Sequence, residues 1–319
     1  MILPIVLIIL GFILLIKGAD FLVDGSINIA KRFHIPEVII GLTVISIGTT
    51  MPELFVSVTS AVDGYPDMAV GNAIGSCIAN LLLILGTSSV IKSINFEKDV
   101  KHFYVPICLF VSLVFIIFCN INNDVTSLEG AILVLLFTLF IAILAIRGMK
   151  AQKDEMKEGK EFNDNTKNRL LIFKNIFFII IGIVLLKFGG DFTVDNAVIV
   201  AKQIGLTDKI IGLTILSIGT SLPELVTCVS AAIKGKTEIA IGNILGANIL
   251  NLLLITGVSA VITPIKYNIT YNRDMIIFII ATMMLLLFPY IRPKNEMSRM
   301  NGITYIIIYF GYMASLFFV

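Results

Sequence analysis

Apolar residues fill this chain in long blocks separated by short polar segments, and each block is too long for a core strand and too uniformly apolar for a soluble helix. The blocks cover approximately 2–24, 38–62, 68–91, 103–119 and 126–147, then 170–195, 209–233, 238–262, 274–291 and 302–318. Runs of about 17 to 25 such residues cross a hydrocarbon layer of about 30 Å as helices. The pattern predicts an all-α integral membrane protein with about ten transmembrane helices. A charged stretch from Arg147 to Arg169, RGMKAQKDEMKEGKEFNDNTKNR, splits the blocks into two equal sets. The expected organisation is a first five-helix repeat over 1–147, a charged cytoplasmic linker over 148–169 and a second five-helix repeat over 170–319.

The two sets are copies of one another. VIIGLTVISIGTTMPELFVSV, ending at Val58, returns as KIIGLTILSIGTSLPELVTCV, ending at Val229, displaced by 171 positions without a gap. GNAIGSCIANLLLILG from Gly71 to Gly86 returns as GNILGANILNLLLITG from Gly242 to Gly257. Upstream, Gly11, Gly18, Asp20 and Asp24 return as Gly182, Gly189, Asp191 and Asp195. Five spans per copy is an odd number, so the second copy must enter the membrane in the opposite sense, the inverted-repeat plan of many secondary transporters. With both termini outside and the linker inside, 19 of the 24 Lys and Arg residues fall on the inner side and 5 on the outer. That bias agrees with the tendency of basic residues to remain inside.

Composition narrows the class. Apolar residues make up 57% of the 319 positions and mean hydropathy is +0.97, values outside the soluble globular range. Net charge is only +2 with basic residues dispersed, so nucleic acid is not an expected partner. Cys77, Cys108, Cys119 and Cys228 fall inside predicted spans without metal-ligand spacing, which predicts free buried thiols. MILPIVLIILGFILLI has no basic leading region or evident cleavage site, so it reads as the first span, with the mature chain beginning at Met1.

The chemistry sits in the repeated segment. Glu53 and Glu224 each follow a proline inside an apolar block, and an ionisable residue at membrane depth marks a partner, a cavity or an ion path. Ser46, Thr49, Thr50 and Glu53 stand at helical spacing on one face, as do Ser217, Thr220, Ser221 and Glu224. Pro52 and Pro223 lack an N–H, which predicts an opened backbone near Gly48 and Gly219. Asn72, Ser76 and Asn80 line the following helix; its copy has Asn243, Ala247 and Asn251. Carboxylate, amide, hydroxyl and carbonyl oxygens suit hard cations such as Ca²⁺ and Na⁺. Two ionised glutamates balance one Ca²⁺, and leaving them empty in a low dielectric costs several kcal/mol, so such a site resists switching sides unoccupied.

Simpler roles compete for several of these residues. Buried hydroxyls often bond back to their own helix, and intramembrane asparagines often join helices. Asp20, Asp24, Asp191 and Asp195 fall near the ends of predicted spans and read as solvated or interfacial charges. Without a Ser-His pair, a histidine cluster or a second intramembrane aspartate, an intramembrane hydrolase is the weakest reading, and a channel would ordinarily need a continuous filter.

GTTMPEL with GNAIGSCIAN, and GTSLPEL with GNILGANILN, resemble the paired repeats of the cation/calcium antiporter superfamily, most nearly its prokaryotic sodium/calcium exchanger branch. The resemblance implies ten helices, mid-membrane cation sites and exchange of Na⁺ for Ca²⁺ by sliding of the first and sixth helices. It implies Glu53 and Glu224 as shared Ca²⁺ and Na⁺ ligands, with Thr49 and Thr220 adding oxygens. Ser46, Thr50, Ser76, Ser217 and Ser221 would line sodium sites, with Asn80 at the centre and Asn251 as its counterpart. Asn251 stands where this branch commonly carries aspartate, and Ala247 where many members carry serine. The expected function is Na⁺/Ca²⁺ antiport by alternating access, with no enzyme activity or cofactor, completed within one chain in the cell membrane. The alternative is a calcium/proton exchanger of the same fold.

Overall fold

The computed structural model describes residues 2–64, 66–121, 123–157, 169–204, 219–291 and 294–316. Helices account for nearly all of them. α1 runs Ile2–Phe33, α2 Glu37–Val62, α3 Met68–Ile91 and α4 Val100–Ile121. α5 runs Ser127–Lys157 and α6 Arg169–Gln203. α7 covers Leu222–Ile233, α8 Thr237–Ile262, α9 Tyr271–Leu287 and α10 Arg299–Leu316. Among the described residues, eight helices, all of these but α7 and α10, are long and apolar enough to cross a membrane. The chain is a multi-pass membrane protein.

Three helices outrun their expected spans by eight residues or more. α1 continues to Phe33 through Asp20 and Asp24 because both are paired by Lys234, at 3.0 and 2.8 Å. α6 continues likewise past Asp191, which Lys187 pairs at 2.8 Å. α5 carries its helix ten residues into the charged segment, to Lys157. The first part of the span expected at 209–233 lies outside the described residues.

Burial separates a centre from a periphery. The apolar window of α8 is 83% buried, whereas that of α6 is 11% buried. α1 and α6 pack backbone against backbone and antiparallel, Gly11 meeting Gly189 and Gly18 meeting Gly182. A Cβ on Gly18 would lie 2.8 Å from the Leu186 nitrogen, so only glycine allows this approach. α2 crosses α8 in the same manner, with Gly242 against the Val38 carbonyl and Gly246 against Leu42 and Ser46.

Equivalent contacts recur with the copies exchanged. Ile94–Asn95 pairs antiparallel with Glu296–Met297, and Asp124–Val125 with Ile265–Lys266. Phe96 donates its N–H to the Asn295 carbonyl at 2.8 Å, and Tyr267 to Asn123 at 2.9 Å. Gly302 packs on the Gly86 carbonyl, and Gly130 on that of Gly257.

Candidate cation site

Four segments converge at the centre: the middle of α2, the middle of α3, the start of α7 and the middle of α8. In α2 the spacing read from the sequence places Ser46, Thr49, Thr50 and Glu53 together, and all four are buried. The helix remains continuous through Pro52, and its widened π-helical turn lies earlier, at Gly41–Ile45. The helix is not broken at Gly48, although Pro52 offers that carbonyl no N–H. In the second copy Thr220 and Ser221 form a turn and α7 begins at Leu222, so Pro223 occupies the first turn, where a missing N–H costs nothing.

The two glutamates come together across the copies. Thr50, one turn from Glu53, donates its hydroxyl to Glu224 Oε1 at 3.1 Å. Both carboxylates are buried. Thr49 donates to Asn243 Oδ1 or to the Ser46 carbonyl, both at 3.3 Å, and Asn243 in turn donates to Cys228 Sγ at 3.2 Å. Asn72 and Ser57 repeat that last contact in the first copy at 3.2 Å.

In α3 and α8 the asparagines begin or adjoin π-helical stretches, Ala79–Leu85 and Asn251–Ile255. Such widened turns are frequent at functional sites because they leave backbone groups free of the regular ladder. Asn80 donates Nδ2 to Asn248 Oδ1 at 3.0 Å. Asn251 lies opposite, fully buried.

Several oxygens here are sealed from solvent without a hydrogen-bond partner: Glu53 Oε2, Glu224 Oε2, Asn80 Oδ1, Asn251 Oδ1 and Ser221 Oγ. Buried acceptors are ordinarily satisfied, and each orphan requires an explanation such as an ion. A set of carboxylate, amide and hydroxyl oxygens matches hard cations in kind. A cavity of 510 Å³ leads from the charged mid-portion of α6, at Lys187, Asp191 and Asp195, to Pro52, Thr220 and Pro223 beside the two glutamates.

The remaining expected ligands divide. Ser46 donates back to Leu42 and Thr43 carbonyls at 2.9 and 3.3 Å and wedges against Gly246, as the simpler reading anticipates. Ser76 is buried in α3 between Asn72 and Asn80. Thr220 lines the cavity. Ser217 lies outside the described residues. Asn243 and Asn248 were not among the expected ligands, yet both join the network. Asn243 was legible as the copy of Asn72, whereas Asn248 has cysteine at its equivalent, Cys77, and leaves no such trace.

Comparison with known proteins identifies the family. The family model described as sodium/calcium exchanger protein matches residues 3–146 and 174–318. Inner membrane protein YrbG of Escherichia coli is 32% identical over 288 residues, covering 88% of this chain and 87% of the relative. Sodium/calcium exchanger MaX1 of Methanosarcina acetivorans is 29% identical over 348 residues, covering 98% of each. The solved structure of the sodium-calcium exchanger NCX_Mj soaked with 10 mM Na⁺ and zero Ca²⁺ superposes with a TM-score of 0.86 at 29% identity, covering 99% of each chain. With both copies matched and only the charged segment between them left out, the chain belongs to the sodium/calcium exchanger protein family.

Proposed function

We propose that this chain is a Na⁺/Ca²⁺ antiporter in which two inverted five-helix repeats enclose one cation-binding centre and expose it alternately to each side. Glu53 and Glu224 are its shared charges. Asn80, Asn251, Thr49, Thr50, Ser76, Ser217, Thr220 and Ser221 supply neutral oxygens around them, and Ser46 buttresses the site from α2. Both termini lie outside and the charged segment inside. A single chain suffices, since the residues of the site come from both of its copies.

The observation that carries this reading is the cluster of buried, unpartnered oxygens from both copies; Pro52, Thr220 and Pro223, adjoining the glutamates and Ser221 in sequence, line a cavity. Two carboxylates isolated from water are costly unless a cation is between them, and one Ca²⁺ or several Na⁺ supply the required charge. The empty centre therefore resists passage between sides, which is what obliges exchange. The antiparallel α1 and α6, joined by glycines and lying outside the buried centre, supply the pair able to slide.

The decisive measurement is radiolabelled Ca²⁺ uptake into proteoliposomes loaded with Na⁺, with K⁺-loaded vesicles and vesicles bearing only a pH gradient as controls. Uptake should require internal Na⁺. Uptake driven by protons and indifferent to Na⁺ would instead establish the calcium/proton reading. Glu53→Gln and Glu224→Gln should each abolish exchange while the protein elutes as folded, because one carboxylate is left to balance a divalent ion.

A further inference from the structure

The two central asparagines differ in their partners. Asn80 meets Asn248 of the opposite copy. Asn251, its equivalent, makes no such bond, and the position equivalent to Asn248 holds Cys77, whose thiol donates to the Asn248 carbonyl at 3.7 Å. An asparagine amide carries an acceptor at one end and two donors at the other, and only the oxygen end can hold a cation. When that oxygen is turned toward an ion, the NH₂ needs an acceptor elsewhere, since a buried unpaired donor is costly. Asn248 Oδ1 provides one for Asn80 at 3.0 Å. A thiol sulfur accepts only weakly, and both Oδ1 and Nδ2 of Asn251 are without a partner.

We propose that Asn248 is the positioning residue for Asn80, its side-chain oxygen holding the Asn80 amide so that Asn80 Oδ1 faces the bound cation. Asn80 is then a dedicated oxygen ligand. Asn251, with Cys77 in place of that acceptor, is free to turn either end inward, so the two copies contribute unequal ligands to one centre. This inference rests on the cation-site reading above. It gives a reason for the asparagine at Asn248, whose equivalent is Cys77.

The test is a cycle of variants read by Na⁺-driven Ca²⁺ uptake in proteoliposomes, with folding followed by gel filtration. Asn248→Leu keeps the volume and removes the acceptor; it should raise the apparent KM for Ca²⁺ about three- to tenfold with little change in maximal rate, the loss expected for one orienting hydrogen bond. In an Asn80→Ala background the same substitution should add nothing, because its effect passes through Asn80. An undiminished added loss in that background would overturn the assignment. Cys77→Asn provides the converse arm, giving Asn251 the same acceptor, and should lower the KM for Ca²⁺ only while Asn251 is present. It decides the matter if Asn248→Leu does not fold; an unchanged KM in Cys77→Asn would then refute the proposal. Glu53→Gln in the same vesicles separates the two levels. Normal transport by that variant removes the cation-site reading, whereas its failure alongside unaltered Asn248→Leu and Cys77→Asn removes only the role of Asn248.

Discussion

The two ends of the molecule carry the same acids and different partners. At the end where α7 meets α8, Lys234 binds Asp20 and Asp24 of α1, and Ser230 donates to Asp20 at 2.9 Å. Lys236 binds Glu37 at the start of α2 at 2.7 Å. One repeat length away, the positions of Lys234 and Lys236 hold Asp63 and Tyr65. There the equivalents of Asp20 and Asp24, Asp191 and Asp195, line the open cavity. At one end lysines of the opposite copy pin the acids; at the other Asp191 pairs with Lys187 of its own helix and the acids line a cavity. A duplicated fold thus acquires a preferred side through a few charges at its rim, while its buried centre stays nearly symmetric.

Reversing the pinning charge should break this comparison most strongly. In Lys234→Glu, a cluster of acids replaces the ion pairs, and α7 should part from α1. A cysteine placed at buried Thr227, about two turns deeper, reports the change: its labelling by a membrane-impermeant thiol reagent should rise about tenfold, within the usual range of conformational coupling. Unchanged labelling would show that the lysine decorates that end without holding it. A test on paired glycines is expected to act less. A Cβ on Gly242 would stand 2.5 Å from the Val38 carbonyl, whereas on Gly71 it meets only the tip of the Tyr271 side chain among the described residues. Gly242→Ala should cost about 1–3 kcal/mol by overpacking and lower the melting temperature; Gly71→Ala should lower it less, and equal losses would contradict the asymmetry. The smallest effect belongs to Ser46→Ala, which removes a hydroxyl already bonded to its own helix and should change the KM for Na⁺ less than twofold, about the size expected of a solvent-neutral back-bond.

The fold was legible where the sequence was most repetitive. Apolar blocks located the helices, and a proline-glutamate pair inside two of them located Glu53 and Glu224. The hydroxyl face of α2 followed from helical spacing alone. What escaped were features decided by distant partners. Asp20 and Asp24 read as the end of a span because nothing local neutralises them; Lys234, some 210 positions on, does so. Pro52 and Pro223 have near-identical neighbours, yet one lies inside a continuous helix and the other in a first turn, since packing and not propensity decides the outcome. Asn248 stood off the four-residue rhythm of Asn243, Ala247 and Asn251, and its equivalent is a cysteine.

The exchanged loop contacts have a bearing on ancestry. Phe96 with Asn295, and Tyr267 with Asn123, are one contact made twice with the roles reversed, as are the two glycine seams of α1 with α6. Reciprocity of this kind is the signature of an isologous interface between identical subunits. The present single chain therefore preserves the geometry of a two-fold homodimer.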